Sequence, residues 1–187
     1  MVERGFKAWA EREAAVIRGR LGLNPGGRLA ARVLLKHLGA TVIRPDQVPG
    51  MTAADILQLT TVDATGWSAL TLTYEDQHIV ILNDAHDAPR QESDLHHEAS
   101  HLMRGHKPCQ LVSVGGMTFR EYDHEAEQEA AWLAGCLHLP RPALLSALGR
   151  GDSEVVIGTQ YAASPEMVRY RRSVTGVDRQ LQSRASR

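Results

Sequence analysis

Apolar residues in the first forty positions recur at helical spacing. Phe6 to Arg20 sorts its apolar and charged residues onto opposite faces, which predicts an amphipathic helix. Gly26-Gly27 breaks the chain before a second helix that carries Leu29, Val33, Leu34 and Leu38, and Gly39 stops it. The period then changes. ATVIR, Ala40 to Arg44, reads as a strand and RPDQVPGM as a loop; the alternating, β-rich runs Trp67 to Thr73 and His78 to Asn83, separated by YEDQ, read as a hairpin. Helical patterning returns afterwards. One helix covers a His-rich stretch, with Ser93 or Asp94 as its cap and Gly105 with Pro108 at its end. The next runs from near Glu121 to about Leu139, where LPRP stops it, and shorter helices follow at Ala143 to Leu148, Ser153 to Tyr161 and Pro165 to Val174. With no internal repeat and no low-complexity linker, this order predicts an α+β fold with a small, mainly antiparallel sheet packed against helices. It reads as one domain over residues 1–187, with an N-terminal helical part (1–60), a core (61–140) and C-terminal helices (141–187).

Composition narrows the picture. A chain of 187 residues, 43% hydrophobic and 23% charged, is long enough to bury a sizeable core. A formal net charge of -1 provides no global field to recruit nucleic acid or an anionic membrane. The first twenty residues carry charges throughout, and no apolar run reaches the roughly 18 residues of a membrane span, so neither a signal peptide nor an anchor is expected. Cys109 and Cys136, the two cysteines, match no zinc-knuckle or C-x-x-C spacing and are too few for a disulfide scaffold. A reducing cytoplasm is the expected location.

Four of the nine histidines fall within DLHHEASHLMRGH, Asp94 to His106. His97, Glu98 and His101 spell H-E-x-x-H, a pattern expected by chance roughly 0.03 times in this composition. At about 100° per residue the two histidines lie about 40° apart on one helix face, which suits two ligands of one zinc ion. Glu98 sits about 60° from His101, where it reaches water beside the metal without being a ligand, as a general base must. A catalytic zinc takes three protein ligands, so a third is needed. The helix EYDHEAEQEAAWLAGCLHLP offers Glu125, Glu127 and Glu129. Taking Glu127 as zero, Ala126, Ala130, Leu133, Ala134 and Leu137 fall between about -20° and -120°, while Glu125 and Glu129 lie near 160° to 200°. Glu127 alone borders the apolar face and needs a cationic partner; Glu125 and Glu129 are expected to face water. Trp132 and Cys136 blur the pattern, because they lie on the expected wet side.

HHEASH followed by EQEAAWLAGCLHLP resembles the ImmA/IrrE family of zinc metallopeptidases, whose pattern is H-E-x-x-H and then an E-x-E-A-N/D-x-F/L-A-x-x-L-L-x-P helix. WSALTL, the N-D-A-H-D turn, RQ-S-D before the His-rich helix and the C-terminal ASPEMVRYRRSVTG also look familial, so the likeness covers roughly residues 60 to 178. The resemblance implies a compact thermolysin-like catalytic core, with Zn2+ on His97, His101 and Glu127 and with Glu98 as base. It also implies a protein substrate, typically a helix-turn-helix repressor in a stress-response or mobile-element system. Ala131 departs from the family's Asn or Asp, a polar group that in related sites orients a ligand histidine from behind; Asp123 or Asp94 could take its place. His138 stands where the family is usually aliphatic.

Other candidates carry less. His106 follows His101 by five residues, one short of the spacing that would make it a metzincin ligand, which leaves an orienting, substrate-side or exposed role. His96 points about 100° from His97 and reads as structural. Tyr122, His124 and Tyr161 could each stabilise an oxyanion. From Arg150 to Arg187 there are seven Arg against four Asp or Glu, and Arg169, Arg171 and Arg172 lie together in a helix-turn-helix-like outline. That motivates a second reading, a non-proteolytic metal-binding regulatory module contacting DNA or a protein partner. A helical hairpin packed on the core, with a solvated Arg face, is the favoured account of this small patch.

Overall fold

The computed structural model describes residues 3–74, 77–106, 111–114, 117–120 and 123–186. Glu75, Asp76, Pro108, Cys109, Glu121 and Tyr122 lie outside the described residues.

The N-terminal stripe becomes α1 (Phe6–Arg20), which buries Phe6, Ala10, Ala14 and Ile17 on one face. α2 (Ala31–His37) starts after Leu29, which is buried nonetheless, and the Ala31 N–H donates to the Glu92 carboxylate at 2.8 Å, so a distant acid caps a helix with no cap of its own. β1 (Ala40–Ile43) follows, then a short 3-10 turn at Pro45–Gln47. A stretch without an expected element forms α3 (Ala53–Leu57), capped by Thr52 and continued as a π-helical turn through Val62. β2 (Ala69–Tyr74) and β3 (Gln77–Leu82) pair antiparallel with Ala69 opposite Leu82, as the alternating pattern predicts. β1 joins the other side of β3 in parallel, Ala40 opposite His78, giving the order β1-β3-β2. Val80 and Leu82 of β3 are buried.

The cap of α4 (Ala88–Arg104) lies six residues before Ser93, the earlier of the two expected caps. Asp87 is its N-cap, accepting from the Arg90 N–H at 2.9 Å, and Pro89 preorganises the first turn; Ser93 and Asp94 are inside the helix. Gly105, at φ 63°, ends it. A second hairpin, β4 (Leu111–Val114) with β5 (Met117–Arg120), was not legible in the sequence pattern. α5 (His124–His138) starts at the Asp123 cap, and α6 (Arg141–Gly149), α7 (Glu154–Tyr161), α8 (Pro165–Thr175) and α9 (Val177–Ala185) complete the chain.

Two clusters of buried side chains result. The first joins α1, α2, the three-stranded sheet, α4 and Leu133, Cys136 and Leu137 of α5; the second joins Leu139 with α6, α7, α8 and Val177. Between them lie two buried arginines. Arg18 donates to the carbonyls of Ala14, Gly27, Cys136 and Leu137, so it satisfies acceptors in the last turn of α5 that have no partner within that helix. Burial lowers its pKa to about 10, which leaves it charged at neutral pH. Arg171 donates to the Leu139 carbonyl at 2.9 Å and pairs with Glu11 of α1 at 2.6 Å.

Candidate metal centre

α4 packs against α5, and their facing surfaces bring three ligand-type side chains together. His97 and His101, one turn apart on α4, place their Nε2 atoms 3.0 Å from each other. Glu127 of α5 places Oε2 3.1 Å from His97 Nε2 and Oε1 3.6 Å from His101 Nε2. Metal-ligating atoms of the three all lie within 4.8 Å of one another. Bonds of about 2.0–2.1 Å to a tetrahedral zinc separate neighbouring ligand atoms by about 3.3–3.4 Å. The three separations straddle that value, and the donors, two imidazoles and a carboxylate, are those zinc prefers. All three side chains are half-buried, so the position remains accessible from one side.

Glu98, next to His97 on α4, accepts a hydrogen bond at Oε2 from the Thr71 hydroxyl of β2. Thr71 carries no sequence signal for such a role, because it is one of several alternating residues in the strand.

Behind His101 lies an arrangement that the sequence pattern assigned differently. Glu129 was expected to face water, yet it is buried. The helical wheel assumed one apolar neighbour for α5; in fact Arg104 of α4 reaches across and donates to Glu129 Oε2 through Nε at 2.7 Å and Nη2 at 2.6 Å, neutralising it. The Arg104 guanidinium rests 5.2 Å from the ring centre of Phe6 and 5.0 Å from that of Trp9. His106 is half-buried, which sets aside the exposed role of the three left open: its Nδ1 lies 3.0 Å from His101 Nδ1 and its Nε2 3.3 Å from Glu129 Oε2. The local cause is the end of α4. With Gly105 in the left-handed region, the His106 N–H returns to the His101 carbonyl at 3.0 Å, a Schellman closure that folds the chain back over His101. Gly105 at the end of the helical pattern was the available signal.

The acids expected to stand in at position 131 are engaged elsewhere. Asp123 accepts from the Ala126 and Glu125 N–H groups, which hold its carboxyl below the usual range. Asp94 pairs with His86 at 3.4 Å and Arg90 at 3.9 Å, pinning the turn before α4. Ala131 is exposed.

His96 is buried and stacked on His138 at 4.8 Å between ring centres. Burial, and then the neighbouring His138, push its pKa well below the ordinary imidazole value. His138 bonds the Tyr161 and Ala162 carbonyls, both at 3.1 Å, which accounts for a polar residue at this buried position. Tyr161 belongs to the second cluster and donates to the Gly26 carbonyl at 2.6 Å, an engagement away from the His97, His101 and Glu127 group. His124 is exposed one turn before Glu127 and bonds Gln128 at 2.6 Å. The arginines that suggested phosphate contacts are paired with acids: Arg169 with Glu154 and Glu166, Arg171 with Glu11, and Arg172 with Glu154 and Asp178.

Residues 36–173 match the family model described as the IrrE N-terminal-like domain, Peptidase_M78. Comparison with curated proteins and with solved structures gave no match.

Proposed function

The chain belongs to the M78 peptidase family, that of the IrrE N-terminal-like domain, and from this premise we propose that it is an intracellular zinc-dependent endopeptidase. The observation that carries the reading is the convergence of His97, His101 and Glu127 on one point. These residues would hold zinc, which supplies Lewis acidity to polarise the scissile carbonyl and to acidify water beside it. Glu98 removes the proton from the attacking water and later delivers it to the leaving amine, while Thr71 fixes the carboxylate by donating to Oε2. His97 and His101 enter as neutral imidazoles, with Nε2 unprotonated.

The substrate proposed is a helix-turn-helix transcriptional repressor that offers an extended segment, with selectivity set by docking rather than by a deep side-chain pocket. β2, which supplies Thr71, pairs with β3 alone among the described residues, and its Leu70 and Leu72 are exposed. An extended peptide added along its outer edge would lie beside the strand that holds Glu98. No described helix is long and apolar enough to cross a membrane, and a cytoplasmic location accords with such a substrate.

Two experiments test the reading. Elemental analysis should find about one zinc per chain, lost in His97→Ala and Glu127→Ala and kept in Glu98→Gln; full occupancy in Glu127→Ala refutes the ligand assignment. Co-expression with each adjacently encoded repressor, followed by mass spectrometry, should show cleavage by the unmodified chain and none by Glu98→Gln. A repressor left intact under every stress tried, while unrelated unfolded proteins are degraded, refutes the substrate assignment.

A further inference from the structure

The chain of contacts behind His101 has one polarity compatible with metal binding, and this fixes where each proton sits. For His101 Nε2 to ligate, it must carry no proton, so the neutral ring holds its proton on Nδ1. A group must accept there, and His106 Nδ1 is at 3.0 Å. To accept, His106 must in turn carry its own proton on Nε2, which faces Glu129 Oε2 at 3.3 Å. That carboxylate is buried and held by Arg104, whose guanidinium is seated on Phe6 and Trp9. The opposite polarity would put a proton on His101 Nε2, between it and His97 Nε2, where the metal belongs.

We propose that His106 and Glu129 are positioning residues that hold His101 in its Nδ1–H tautomer and aim Nε2 at the metal, taking the part that a polar residue at position 131 plays in the resembled family. The inference rests on the metal-centre reading above. It extends that centre from three ligands to a line that runs His101 Nδ1–H to His106 Nδ1, His106 Nε2–H to Glu129, and Glu129 to Arg104. Such outer partners commonly contribute about 10- to 100-fold in metal affinity. The absence of a polar side chain at Ala131 therefore does not imply a weakened site.

The test is zinc affinity, measured by competition with a chromophoric chelator on the full chain, with His106→Ala, His106→Gln and Glu129→Gln beside the unmodified protein. His106→Ala and Glu129→Gln should bind zinc about 10- to 100-fold more weakly, and His106→Gln, whose amide oxygen can accept from His101 Nδ1–H, should recover part of the loss. Nitrogen-15 shifts of the zinc-loaded protein should report His101 as protonated on Nδ1 and ligated through Nε2, with the Nδ1–H exchanging faster in His106→Ala. Thermal melts of the metal-free variants separate folding from affinity. If His106→Ala does not fold, the two glutamine variants carry the comparison. Zinc affinities in His106→Ala and Glu129→Gln within about threefold of the unmodified protein overturn the proposal, as does a loss of melting temperature with affinity unchanged. An unmodified chain that takes up no zinc fails the metal-centre reading itself, a different result from a zinc site indifferent to His106 and Glu129.

Discussion

Arg171→Met distinguishes a structural arginine from a phosphate-binding one. Methionine keeps most of the aliphatic stem and removes the guanidinium. The Leu139 carbonyl at the end of α5 then loses a donor at 2.9 Å, and Glu11 loses its partner at 2.6 Å. Arg171 is fully buried, whereas a quarter of the Glu11 side chain remains in contact with water. Removing one partner of a buried pair costs about 3–5 kcal/mol when the other is stranded. Two features place this pair at the low end. Glu11 can rehydrate, and Arg171 Nη1 is already buried without a partner, so its removal relieves a cost. The expected loss is about 3 kcal/mol. In a chain of this length each kcal/mol moves Tm by about 2–4 °C, so Tm should fall by about 6–12 °C in a calorimetric scan at neutral pH. A fall of less than about 2 °C would refute the argument and return Arg171 to the surface-cation role suggested by its sequence neighbours.

Three further expectations follow from burial and close approach. Burial pushes the His138 pKa down to about 4, so the unfolded chain takes up a proton that the folded chain refuses. Stability from this group is therefore fully present above about pH 6.5 and falls by about 3 kcal/mol as pH drops towards 4; urea unfolding of His138→Leu should lack that component, and equal pH dependence in both proteins would disprove it. The Cys136 thiol, pushed up to about 12 by burial, should not react with a thiol reagent at pH 8 in a Cys109→Ser background until denaturant is added, and prompt labelling of folded protein would show the burial to be wrong. In Gly158→Ala the new Cβ would stand 2.6 Å from the Ala163 carbonyl oxygen, and displacing that backbone should cost about 1–3 kcal/mol by urea titration; an unchanged midpoint would mean that the turn after α7 yields freely.

Local sequence rules read the hairpin, α1 and the facing pair His97 and His101 because each depends on period and spacing within one segment. The start of α4 was missed by six residues because two capping signals compete and Asp87 with Pro89 wins over Ser93 and Asp94. Glu129 was misjudged for a different reason. Its polarity is matched by Arg104, twenty-five residues away, and no wheel drawn for α5 alone contains that residue. His106 was legible in principle, since a glycine ending a helix turns the following residue back over the one five positions earlier. The β4–β5 hairpin and the Thr71 contact with Glu98 depend on pairings that period alone does not specify.

The seat of Arg104 on Phe6 and Trp9 has a consequence for where the working unit begins. The family model starts at residue 36, yet α1 lies wholly before that point, buries its face in the core shared with α4 and α5, and supplies Arg18 to the last carbonyls of α5. A fragment cut at the similarity boundary would keep His97, Glu98, His101 and Glu127. It would lose the aromatic floor under Arg104, which holds Glu129 and, through it, the His106 ring beside His101. Shared ancestry and mechanical support thus have different borders in this chain, and a minimal active fragment has to be drawn by the second.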